Sequence, residues 1–142
     1  MLVRIRGTKK ILLNYKNVML NQILFYAAGI SVIIWGIAHM FPLKSVIKGF
    51  GDISTDNKRI VMMEWIMEGA ALIFIGILVI TITIFGEPLV TKKLVYYLSV
   101  VMLIAMSVIS IFTGFKINFI PFKLCPVIFT FSAVLIFLGI VI

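Results

Sequence analysis

His39, Glu64 and Glu68 are the residues of this chain whose types and spacing could do chemistry. His39 sits near the end of one long hydrophobic run, and the two glutamates sit near the start of the next. Ionisable groups inside a membrane span are costly, and they usually mark a function or an internal partner. Glu64 and Glu68 are four residues apart, so on a helix they stack on one face with Ala71. If the two runs fold back as a helical hairpin, all three side chains meet at one membrane face. Such a His/Glu/Glu pocket could do acid/base chemistry, hold a cationic or hydroxylated lipid-like ligand, or pass a proton. The competing reading turns Glu64 and Glu68 up to the headgroups and leaves His39 interfacial. Trp35 and Trp65 then belong to an aromatic belt rather than to the wall of a pocket. One His and two Glu are too few ligands for a metal centre, so no metal is expected. No phosphate loop, Ser-His-Asp arrangement or nucleotide fingerprint is present, so no catalytic residue is assigned and no cofactor is expected.

The elements that must position these residues follow from composition. Of 142 residues, 63% are hydrophobic and only 13% charged, where a soluble domain carries about 25% charged. That much apolar surface has lipid as its solvent. A hydrocarbon core of about 30 Å needs roughly 20 apolar residues per helix, and four such runs fit, at about residues 18–41, 60–85, 94–115 and 122–142. The expectation is an all-α, four-helix transmembrane bundle as a single domain, residues 18–142. A basic preamble precedes it, residues 1–17, with Arg4, Arg6, Lys9, Lys10 and Lys16 interleaved with Ile5, Ile11, Leu12 and Leu13. This segment reads as a short interfacial amphipathic helix rather than a cleaved leader, because the apolar run behind it is long and lacks a small-x-small site.

Between the runs, Leu43 to Arg59 reads as a loop with turn signals at Gly49, Gly51, Asp52 and Ser54. Thr55 or Asp56 is the expected cap of the second helix. Pro126 is placed in the first turn of the fourth, where proline is tolerated. Tyr96 and Tyr97 beside Lys92 and Lys93 read as an interface anchor. Ser99, Ser110 and Thr113, near Met102 and Met106, read as helix–helix contacts.

Helical spacing also orients the spans. His39 shares a face with Asn21, Ala28 and Val32, and Gly29 and Gly36 lie beside it. Trp65, Gly69, Leu72, Gly76 and Thr83 form a second stripe. Small residues in a span let backbones approach, so both stripes are expected to face the bundle interior.

The net charge is +8, from 13 basic and five acidic residues. The charges lie between the hydrophobic runs, which suits anionic lipid heads and speaks against nucleic acid. Four spans put both termini on one side. That side has seven basic residues, Arg4, Arg6, Lys9, Lys10, Lys16, Lys92 and Lys93. The other has six, Lys44, Lys48, Lys58, Arg59, Lys116 and Lys123. The cluster before the first span favours termini in the cytoplasm of a cell membrane. Lysine-rich, Ile- and Asn-rich composition suggests an AT-rich bacterial genome. The single cysteine, Cys125, excludes an internal disulfide and a CxxC redox pair.

The stretch Gly36-Ile37-Ala38-His39-Met40-Phe41-Pro42, a Gly-containing loop, and then Glu68-Gly69-Ala70-Ala71-Leu72-Ile73-Phe74-Ile75-Gly76 resembles the DoxX-like superfamily of small four-helix membrane proteins. The resemblance covers about residues 30–80. It implies a four-helix bundle, often an accessory subunit, with His39 and Glu68 as its characteristic polar positions. The lack of cysteine pairs departs from redox-linked members.

These observations lead to a non-enzymatic membrane protein as the expected function. It would bind a hydrophobic small molecule, a partner protein or a second copy of itself through His39, Glu64, Glu68, Trp35 and Trp65. Two alternatives stand beside it. A lipid-modifying isomerase-type enzyme would use Glu64, Glu68 and His39, in the manner of the sterol isomerase and sigma-2 receptor group. A small proton-coupled transporter is the other, although small multidrug pumps carry their essential glutamate in the first span, and here that span has none.

Overall fold

A computed structural model describes the backbone from Leu2 to Ile142 and side chains from Tyr15 onward. Most side chains of the basic preamble, through residue 14, thus lie outside the described residues. The described chain is all helical: α1 (Leu2–Met40), α2 (Leu43–Gly49), α3 (Thr55–Phe85), α4 (Leu89–Phe112), a 3₁₀ turn (Gly114–Lys116) and α5 (Ile120–Val141). Four segments are long and apolar enough to cross a membrane: Tyr15–Met40, Thr55–Phe85, Leu89–Lys116 and Ile120–Val141. Only helices and closed barrels satisfy every backbone group in hydrocarbon, so this is an integral, multi-pass membrane protein built as a four-helix bundle.

The segment expected as a loop is partly helical. Leu43–Gly49 forms α2 directly after Pro42, with the Val46 N–H bonded to the Pro42 carbonyl at 3.0 Å. Gly51 then takes a φ of 69°, a left-handed conformation that glycine adopts without a Cβ clash, and leads the chain into α3. The cap of α3 is Ser54, not Thr55 or Asp56. Its hydroxyl accepts from the Asn57 N–H at 3.1 Å, so Thr55 becomes the first helical residue. The third spanning helix starts at Leu89, five residues before the apolar run suggested, because Lys92 and Lys93 are helical. In α5, Pro121 occupies the first turn and Pro126 lies inside the helix, since the helix begins earlier than expected. A proline there removes one intrahelical hydrogen bond. The Pro126 carbonyl accepts from the Ser107 hydroxyl of α4 at 3.0 Å, and Ser107 also pairs with Thr130 at 2.8 Å.

Helix α1 is central and packs heavily on α3 and α5, while α4 packs chiefly on α5. The α1/α3 contact is set by two glycine pairs. A Cβ added to Gly29 or Gly36 would meet the carbonyl oxygen of Gly76 or Gly69, and the reverse also holds. All four are buried, as expected from spacing. The stripe Trp65, Gly69, Leu72, Gly76 and Thr83 is likewise the buried face of α3. Outward-facing residues such as Ile34, Phe74, Val101 and Phe131 are exposed, as a lipid-facing surface requires.

Helices α3 and α4 meet in few places. They are joined at one end, where the Thr83 hydroxyl pairs with the Tyr96 hydroxyl at 2.8 Å and Lys92 Nζ donates to the Thr83 carbonyl at 3.1 Å. Tyr96 is therefore no interface anchor. It is 2% exposed and stacks on Phe25, centroids 3.9 Å apart, while Tyr97 does stay exposed. The Thr83 hydroxyl also donates to the Val79 carbonyl within its own helix. Away from this clasp, α3 and α4 diverge.

Candidate functional site

The divergence leaves a cavity of about 640 Å³ among α3, α4, α5 and the end of α1. Three helices bring its polar groups together. His39 lies in the last turn of α1, Glu68 in the middle of α3, and Cys125 in the second turn of α5. The close glycine pairs draw α1 onto α3, which is why His39 can reach Glu68. His39 Nε2 is 3.3 Å from Glu68 Oε2. His39 is 3% exposed, and the Glu68 side chain is about one-third exposed toward the cavity. It is a close contact rather than a well-aimed hydrogen bond, and neither His39 ring nitrogen has a hydrogen-bond partner among the described residues.

Trp65 fixes the His39 ring. The two rings stack with centroids 4.3 Å apart and planes 10° apart. The Trp65 indole N–H donates to the His39 carbonyl, one of those a helix leaves open at its C-terminus. Phe122 of α5 meets the Trp65 ring edge-on at 5.3 Å. His39 and Trp65 thus both face the bundle interior rather than its outer surface.

The five residues singled out from the sequence divide. His39, Trp65, Glu68 and Glu64 all line the cavity. Glu64, however, is exposed at its mouth and makes no ion pair among the described residues. It lies on the same face as Glu68, one turn nearer the start of α3 and so beyond the end of α1 that carries His39. Trp35 does not line the cavity; its indole N–H is buried without a partner among the described residues. Cys125 was not foreseen. It is buried, and its sulfur lies with a His39 nitrogen and a Glu68 oxygen, all within 4.8 Å of one another. No motif or period in the sequence signals that meeting, because the three residues sit on three different helices.

Of the polar residues expected on α4, Ser110 and Thr113 line the cavity. Ser99 and Thr113 bond back to their own helix, at the Val95 and Ile109 carbonyls. A second, almost wholly apolar groove of about 300 Å³ continues between α3 and α4. It shares Ala71 and Met102 with the first and runs past Phe74, Leu78 and Leu98. The arrangement is a largely apolar chamber, with a few convergent polar groups, that continues into an apolar slot between two weakly joined helices.

No family model, curated protein or solved structure matches the chain.

Proposed function

We propose that this protein binds a single-tailed lipophilic molecule with a cationic or hydroxyl head, the tail in the α3/α4 slot and the head at Glu68. The observation that carries this is the His39–Glu68 pair at the base of an apolar groove open between α3 and α4. The chamber volume falls within the range of about 300–1,000 Å³ typical of small-molecule sites. Two carboxylates, Glu64 and Glu68, against one imidazole favour a donor or cationic head over an anionic one. The protein then works as a non-enzymatic binding component of a bacterial cell membrane, with both termini in the cytoplasm. Membership of the DoxX-like superfamily is part of this proposal, supported by the Gly36–Pro42 and Glu68–Gly76 segments that bracket the site.

The test is thermal unfolding of detergent-purified protein with dodecylamine, dodecanol or dodecanoate. The amine and the alcohol should raise the melting temperature more than the acid. Glu68→Gln should abolish the preference for the amine. Equal shifts for all three compounds would sink the proposal.

A further inference from the structure

We infer that His39, Glu68 and Cys125 form a binding site for a borderline divalent metal ion of the Zn²⁺ class. The site goes beyond ligand binding in the slot; it shares Glu68 with that reading, so a bound metal and an amine head would compete for the carboxylate.

Three independent observations converge. The first is the donor set. An imidazole nitrogen, a carboxylate oxygen and a thiol sulfur come from three separate helices and lie within 4.8 Å of one another. Tetrahedral Zn²⁺ holds such donors at about 2.0–2.3 Å, which puts ligand atoms roughly 3.4–3.7 Å apart. Small side-chain rotations close the difference, and His39 Nε2 and Glu68 Oε2 are already at 3.3 Å. The second is His39 itself. It is 97% buried, as its 3% exposure implies, yet both ring nitrogens lack a hydrogen-bond partner among the described residues. Buried polar groups without partners are rare and call for a missing one, and a metal bond at Nε2 supplies it. The third is the surroundings. All three donors line the 640 Å³ chamber, so a fourth coordination position faces open space, the pattern of three protein ligands and one exchangeable site.

Charge supports the same assignment. A bare cation among these buried, largely apolar side chains would be expensive. A divalent ion bound by the Cys125 thiolate, the Glu68 carboxylate and neutral His39 has no net charge. Forming that set takes the proton from the thiol, so metal binding is coupled to proton release. Thiolate and imidazole donors select Zn²⁺-like ions over Mg²⁺ and Ca²⁺, which want oxygen. His39 is held for the task by Trp65, whose stacked ring limits its rotation.

The experiment is Co²⁺ titration of the metal-stripped, detergent-purified full chain, read by absorption. Cys125 is the chain's one cysteine, so a thiolate-to-cobalt charge-transfer band can come from no other residue. We expect that band at one Co²⁺ per chain, its loss on adding Zn²⁺, and no loss on adding Mg²⁺. Cys125→Ser should remove the band. Glu68→Gln should weaken Co²⁺ binding by about 10–100-fold, no less than loss of an outer-shell partner does elsewhere, while Glu64→Gln should leave it unchanged. Absence of the band in the wild-type chain overturns the inference whether or not any variant folds. A band with unchanged affinity in Glu68→Gln also overturns it. Dodecylamine binding should survive Cys125→Ser, so failure of the metal site and failure of the lipophile site give different results.

Discussion

Gly36 of α1 and Gly69 of α3 approach so closely that a Cβ on Gly36 would lie 2.8 Å from the Gly69 carbonyl oxygen. His39 follows Gly36 by three residues, and Glu68 directly precedes Gly69. The backbone contact and the His39–Glu68 contact are therefore one structural feature. Gly29 and Gly76 repeat the approach two turns away, where a Cβ on Gly76 would meet both the Gly29 carbonyl and the Ile33 side chain.

Enlarging these glycines should overpack the α1/α3 contact. Gly36→Leu and Gly76→Leu should each destabilise by at least about 1–3 kcal/mol. Gly49, which has open space around its Cβ position, serves as the control site for Gly→Ala. Thermal unfolding in detergent checks this, and wild-type stability of both leucine variants would contradict the packing.

His39 and Glu68 should be energetically coupled, whereas Glu64 should not. A double-mutant cycle with His39→Gln and Glu68→Gln should give a coupling of about 0.5–3 kcal/mol. The double variant should be milder than the sum of the singles, because each single change strands a partner. Glu64→Gln, at an exposed position, should change stability little. Additive effects of His39→Gln and Glu68→Gln would show that the 3.3 Å contact carries no energy.

Trp65→Phe keeps a ring beside His39 but removes the donor to its carbonyl. A cost of about 1 kcal/mol is expected for the lost hydrogen bond, with a further loss of stacking area. Trp35→Phe, whose N–H has no partner among the described residues, should cost less. The order of the two variants in an SDS or thermal unfolding series is the measurement, and a larger loss at Trp35 would refute it.

The Thr83–Tyr96 clasp should be modest in energy. Hydrogen bonds between helices in a membrane average about 0.6 kcal/mol and reach about 1.7. Thr83→Val combined with Tyr96→Phe should show a coupling in that range. Zero coupling would mean that the 2.8 Å contact does not hold α3 to α4.

Both termini should face the cytoplasm. In a Cys125→Ser background, Lys16→Cys should react in intact cells with a membrane-permeant maleimide and not with an impermeant one. Reaction with the impermeant reagent would reverse the orientation.

Much was legible in the sequence because it depends on periods and lengths. Four apolar runs of spanning length can only be helices in lipid. A 3.6-residue period places Trp65, Gly69, Leu72, Gly76 and Thr83 on one stripe, and that stripe is the buried face of α3. The same reasoning brought His39 inward with Ala28 and Val32. Loop detail was less legible: Leu43–Gly49 is too short to show a period, and Ser54 competes with Thr55 and Asp56 as a cap of similar chemistry.

Which helix meets which face was decided by tertiary structure alone. In a soluble bundle, the contrast between apolar and polar faces marks the interior. Here nearly every face is apolar, and association rests on close packing and a few hydrogen bonds. Nothing in the order of residues could therefore bring Cys125 to His39 and Glu68, leave Glu64 exposed, or place Tyr96 in the core against Phe25. The gap between α3 and α4 has the same origin. It exists because α1 and α5 take the tight contacts, and no single helix encodes that choice.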